Sequence, residues 1–117
     1  MAEHADMDGL LERWSSQARK GYLELLLLAR LSAGRAYGYE IVAGLKRAPG
    51  FEALAEGTVY PVLTRMKKDG LVEAEWVAEE TGPPRKYYTL TPFGRQALAR
   101  MRALWAEMGD VLKEQAQ

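Results

Sequence analysis

The sequence has no cysteine and a single histidine. The first absence removes disulfide frameworks, thiolate metal sites and cysteine nucleophiles together, and it fits a reducing cytoplasm. The second leaves His4 as the only imidazole, in an N-terminal stretch where chains commonly fray, so an unstructured residue is expected there rather than a metal ligand or catalytic base. No metal or other cofactor is expected. Long hydrophobic runs are missing too: the longest, Leu25 to Ala29, is far short of a membrane span, and the N-terminus carries Glu3, Asp6 and Asp8 instead of a basic signal-peptide start. The expectation is a soluble, unexported cytoplasmic protein. Nor is there an excess of either charge, since 16 Lys and Arg balance 16 Asp and Glu, so nothing global announces a nucleic-acid partner.

What is present is a 117-residue chain, 48% hydrophobic and 27% charged, enough for one folded domain with an added oligomerisation element. Its charges are unevenly spread. Acidic residues crowd the first dozen positions, while Arg65, Lys67, Lys68, Arg85 and Lys86 lie mid-chain.

Apolar residues at Met7, Leu10, Leu11, Trp14 and Ala18 follow one helix face from Met7 to Lys20, with Asp6 or Asp8 as N-cap. Tyr22 to Leu31 is apolar nearly all round and reads as a second, central helix, stopped by Gly34. A short helix follows through Ile41, Val42 and Leu45 and ends before Pro49-Gly50. Thr58 then suits an N-cap for a helix that buries Val59, Val62, Leu63 and Met66, with Pro61 in its first turn and Gly70 just beyond its end. A start at Ala55 would instead place Pro61 inside the helix, at the cost of a kink. From Val72 the period changes to two, giving one strand to Ala78 and a second from Arg85 to Leu90, joined by a turn through Pro84. Thr91-Pro92 opens a last helix running to about Glu114, with Met101, Leu104, Met108 and Val111 on a heptad seam that Leu98, Trp105 and Leu112 widen.

Three helices followed by a two-stranded hairpin is the order of a winged helix-turn-helix, so the fold expected is mainly α with a small β-hairpin, a single domain over 1–117. Residues of about 21–90 would form the DNA-binding core. Helices at about 7–20 and 92–115 would form a dimer interface through Leu10, Leu11, Trp14, Met101, Leu104, Trp105, Met108, Val111 and Leu112, because so small a body cannot bury their apolar stripes alone. The helix from Thr58 to Lys68 offers Thr58, Tyr60, Thr64, Arg65 and Lys68, hydroxyls and cations suited to phosphates and base edges, and Arg85 and Lys86 follow a Gly-Pro-Pro turn near an exposed tip. Composition alone allows a plainer view, in which that helix face is merely solvated and the hairpin cations pair with Glu73 and Glu75 across the sheet. Trp14 and Trp76 read as packing residues of a helix face and a strand face.

At Tyr37-Gly38-Tyr39-Glu40-Ile41, Glu56-Gly57-Thr58-Val59-Tyr60-Pro61-Val62-Leu63, Lys68-Asp69-Gly70-Leu71 and Gly82-Pro83-Pro84-Arg85-Lys86-Tyr87-Tyr88 the sequence resembles the PadR family of bacterial regulators, over roughly residues 20 to 112. The resemblance implies that Thr58, Tyr60, Pro61, Thr64 and Arg65 lie on the recognition helix, that Arg85 and Lys86 belong to the wing, and that Tyr39 touches phosphate. Ala55 departs from the serine common at that place, which removes an N-cap or phosphate contact. A single helix after the wing is similar to the short, multidrug-responsive subgroup. In that subgroup N- and C-terminal helices pack across the dimer around a flat central pore, where a tryptophan at the place of Trp105 stacks on planar ligands. Met101, Met108 and Tyr22 would then line the site.

The expected function is therefore a sequence-specific DNA-binding regulator, a ligand-responsive repressor acting as a homodimer on double-stranded DNA at a near-palindromic operator. Its further partner is a planar aromatic small molecule. The alternative is a winged-helix module that binds another protein without ligand sensing. No acid/base constellation supports an enzyme.

Overall fold

The computed structural model describes residues 6–116; His4 lies outside them. The first helix, α1 (Met7–Ser32), is capped by Asp6, whose carboxylate accepts from the Gly9 N–H at 3.0 Å. It is one helix of 26 residues rather than the two that the sequence suggests. Gly21 stands at the expected break, but one glycine costs a helix only about 1 kcal/mol, too little to interrupt it against the packing of the second half. That half buries Leu23, Leu25, Leu27, Leu28 and Leu31, whereas the first half leaves Met7, Leu10, Leu11 and Trp14 in solvent.

A two-residue strand, β1 (Ala36–Tyr37), precedes α2 (Gly38–Leu45), where the Glu40 carboxylate accepts from the Tyr37 N–H at 3.2 Å. Buried Phe51 and Leu54 plug the loop leading to α3 (Glu56–Lys68). The N-cap of α3 is Ala55, not Thr58, and its side chain makes no capping bond, consistent with the missing serine. Pro61 therefore stands inside the helix, past the first turn, where it donates no bond to the Gly57 carbonyl.

Strands β2 (Val72–Val77) and β3 (Arg85–Leu90) form the hairpin, and β1 joins β3 antiparallel through Ala36 opposite Tyr88 and Tyr37 opposite Tyr87. The sheet is thus three-stranded, with β3 central. Sequence reading misses β1 because two residues cannot display an alternation. Helices α1, α2 and α3 close over one face of this sheet around Leu27, Leu28, Leu31, Ile41, Val59, Leu63, Met66 and Val72.

The last helix, α4 (Pro92–Gln115), starts at Thr91, whose hydroxyl accepts from the Gly94 N–H at 2.9 Å and donates to the Gly70 carbonyl at 2.6 Å. Gly94 lies so near the Leu71 carbonyl and Leu90 Cδ1 that an added methyl would overlap both. Gly94→Ala is accordingly expected to cost about 1–3 kcal/mol, a fall in Tm of roughly 5–15 °C by circular dichroism. Gly21→Ala, with nothing within 4 Å of an added Cβ, should instead gain up to about 1 kcal/mol. An unchanged Tm in Gly94→Ala would show that α4 can slide off the hairpin at no cost.

Candidate nucleic-acid interface

On α3, successive residues turn by about 100°. Val59, Leu63 and Met66 are buried, with Val62 partly so, which places Gly57, Pro61, Thr64 and Lys68 along the opposite, fully outward ridge. All four are exposed, and none is acidic. The Thr64 hydroxyl donates to the Tyr60 carbonyl at 2.9 Å, one turn back, and so retains acceptor capacity toward solvent.

The remaining expected reading residues lie on the flanks. Thr58 faces α1 across a cleft that Arg19, Lys20 and Phe51 also line. Arg65 reaches Glu24 of α1, 3.6 Å from guanidinium to carboxylate, in a half-exposed ion pair. Tyr60 turns the other way, its hydroxyl lying over Gly38, where any side chain would collide with the ring. Burial pushes the Tyr60 phenol above its usual range, and the neighbouring Glu56 carboxylate adds to that shift. Tyr88 on the sheet is raised for the same first reason, with Tyr60 as its second cause. Tyr60 therefore ties α3 to the start of α2 and to the sheet. Tyr39, at that same helix start, is 67% exposed beside α3.

The hairpin separates its two cations. Strand register places Trp76 opposite Lys86 and Val77 opposite Arg85, so the two cations project from opposite faces. Arg85 stacks on the Tyr37 ring at 4.5 Å and reaches the Glu79 carboxylate at 3.9 Å. Arg35 stacks on Tyr87 at 4.5 Å and pairs with Glu75 at 3.4 Å, and the two tyrosines meet edge to face at 5.4 Å. On this outer face both arginines are taken up by carboxylates, while Glu73 makes no ion pair among the described residues. Lys86, on the helix-side face, makes no ion pair among the described residues; its ammonium sits 5.9 Å from the Trp76 ring and 5.8 Å from the Tyr88 ring. The expectation that Glu73 or Glu75 pairs with the hairpin cations fails because they stand opposite Thr89 and Tyr87.

Trp14 and Trp76 are 67% and 70% exposed, so neither packs in the core as the sequence suggests. Trp76 lies two residues past half-buried Ala74 along β2, and Trp14 on the half of α1 whose apolar residues are exposed. Register and helix length decide both, and neither is visible in local composition.

On α4, Leu104, Trp105, Met108, Val111 and Leu112 are each about half-exposed or more. Met101 is partly buried against the core. Trp105 stacks on Tyr22 with centroids 5.1 Å apart and planes 19° from parallel, and Tyr22 leans on Phe51 at 6.1 Å. A cleft of about 440 Å³ beside this stack is lined by Tyr22, Leu25, Leu26, Ala29, Ser32, Arg102 and Trp105. Met101 and Met108 do not line it. Among the described residues no cluster of His, Cys, Asp or Glu is suited to a metal, and no helix is long and apolar enough to cross a membrane.

A helix with an outward polar and basic ridge, set against a hairpin wing on the same helical body, defines the winged-helix class. The family model described as the transcriptional regulator PadR-like family matches residues 27–100, more than half of the chain. The chain is similar to a PadR-like transcription factor from Bacteroides fragilis, 41% identical, with 87% of this chain and 97% of that one covered and a TM-score of 0.71. It is also similar to a PadR-like transcriptional regulator from Bacillus cereus, 36% identical over 86% of this chain and 97% of that one, TM-score 0.75. A PadR family transcriptional regulator from Eggerthella lenta is 28% identical over 94% and 95%, with a TM-score of 0.81. The protein belongs to the PadR family: it is a DNA-binding transcriptional regulator, not an enzyme.

Proposed function

We propose that the protein is a homodimeric, ligand-responsive repressor, with residues 21–90 as its DNA-binding part and the arms of α1 and α4 as its dimer interface. In this reading the two α3 helices enter successive major grooves of a near-palindromic operator, about 34 Å or a multiple of it apart. The observation that carries the DNA part is the ridge of Gly57, Pro61, Thr64 and Lys68, exposed and free of carboxylates, together with exposed Tyr39 at the start of α2 and Lys86 on the helix-side face of the wing. Thr64 and Lys68 meet the DNA directly. Arg65 and Thr58 join from the α1 flank when the weak Glu24 pair opens, and Tyr60 supports the ridge from behind.

The dimer reading rests on shape. The described chain extends 65 × 29 × 22 Å with a radius of gyration of 17.3 Å, against roughly 13 Å for a compact chain of this length, because both arms project with apolar residues exposed. A second copy covers them economically. The ligand reading rests on Trp105, one face of which is stacked while the indole remains 48% exposed. Through Tyr22 and Phe51 it has a packed route to the loop preceding α3. The family match ends at residue 100, before Trp105, so this part stands on the chain's own geometry.

The test is titration of the DNA upstream of the protein's own gene at several salt concentrations. Affinity should fall steeply with salt, and Lys68→Ala should flatten the log–log slope by about 1, the loss of one phosphate contact. Absence of binding at low salt would favour a protein partner instead. A slope that Lys68→Ala leaves untouched would move the phosphate contact off the ridge.

A further inference from the structure

Trp76 has no role in the fold that its exposure would explain. Strand β2 passes from buried Val72 through half-buried Ala74 to Trp76, which is 70% exposed on the same face. Two residues of strand place it about 7 Å further along β2 than half-buried Ala74. A bare indole at that place is unusual on a two-stranded tip, where a polar residue would pair equally well. Its surroundings differ sharply between the two faces. The outer face carries Glu73 and Glu75, and its arginines are occupied by Glu75 and Glu79. In the paired stretch the helix-side face carries Val72, Ala74, Trp76, Lys86, Tyr88 and Leu90, with no carboxylate and one ammonium held between two rings.

A polyanion is therefore repelled from one side of the wing and admitted on the other, the side that also carries α3. We infer that Trp76 is a DNA-contacting residue, its indole packed against the sugar edge of the minor groove flanking the site read by α3, while Lys86 neutralises the adjacent phosphate. Apolar side chains at minor-groove edges supply affinity through contact area, whereas cations supply it through counterion release. The two halves of this wing face thus have separable signatures. Arg85, on the outer face, is stacked on Tyr37 and paired with Glu79, whereas Lys86 makes no ion pair among the described residues. This inference rests on the DNA-binding reading above.

The test uses the full protein labelled with 5-fluorotryptophan, the Trp76 resonance being assigned with Trp76→Phe, and a duplex from the DNA upstream of its own gene. Addition of the duplex should shift or broaden the Trp76 fluorine signal. Trp76→Ala should lose about tenfold in affinity at every salt concentration with an unchanged salt slope, and Trp76→Phe should recover part of it. Lys86→Ala should flatten the slope by about 1. Binding that leaves the Trp76 signal and the Trp76→Ala affinity unchanged overturns the inference and leaves the regulator reading standing. No binding of duplex by the parent protein overturns both.

Discussion

Replacing Leu104 by glutamate is expected to yield a folded monomer in sedimentation and to lower affinity for the upstream DNA by about 100-fold or more. The residue is 57% exposed in the single chain, so a carboxylate there disturbs no contact of the subunit's own core. In the proposed homodimer it lies on the seam with Met108 and Val111, where an unpaired buried charge would have to be desolvated. Circular dichroism should accordingly keep its helical signal while the mass halves. The affinity follows from linkage of two half-sites: two joined reading heads exceed a single one by about 10²–10⁴ without any new contact, and separation removes that factor. Unchanged dimer mass would place the interface elsewhere, and a halved mass with undiminished DNA affinity would mean that one subunit reads the operator alone.

The second large effect concerns Trp105. Planar aromatic compounds should quench the protein's tryptophan emission at micromolar concentration, and Trp105→Ala should abolish the quenching while leaving the dimer and its DNA binding in place. The Tyr22 ring covers one face of the indole and leaves the other for a flat ligand. Arg102 in the cleft wall adds a selection absent from the sequence reading, which expects a planar aromatic ligand and a lining of Met101 and Met108. A guanidinium disfavours a cation at short range, so an anionic planar dye should quench at lower concentration than a cationic one of the same ring system. Dissociation of the Trp105→Ala dimer, with no planar compound binding the parent, would make Trp105 a structural staple between subunits.

Much of this organisation is legible before any coordinates. The caps at Asp6 and Thr91, the apolar sets of α3 and the tyrosine-rich strand are local signals, and each element they predict is present. The misses share a cause. Gly21 looks like a boundary and is not one, because packing of the leucines of α1 outweighs a single glycine. Thr58 looks like a cap because its hydroxyl suits one, yet the N-cap of α3 lies three residues earlier at Ala55, whose side chain makes no capping bond, and Pro61 falls within the helix.

The sequence by itself determined the family, the helix order, the wing and the apolar seam of α4, since these depend on residue type at short spacing along the chain. The tertiary structure decided which side chains on those elements face the same way. Tyr60 is packed over Gly38, Arg65 is paired with Glu24 and Arg85 is stacked on Tyr37, all neighbours distant in sequence. Thr64 and Lys68 are left outward on α3, and Trp76 is left beside Lys86 on the carboxylate-free face of the wing. A local pattern fixes a side chain's direction relative to its own helix or strand, but only the docking of that element on others settles what the side chain meets.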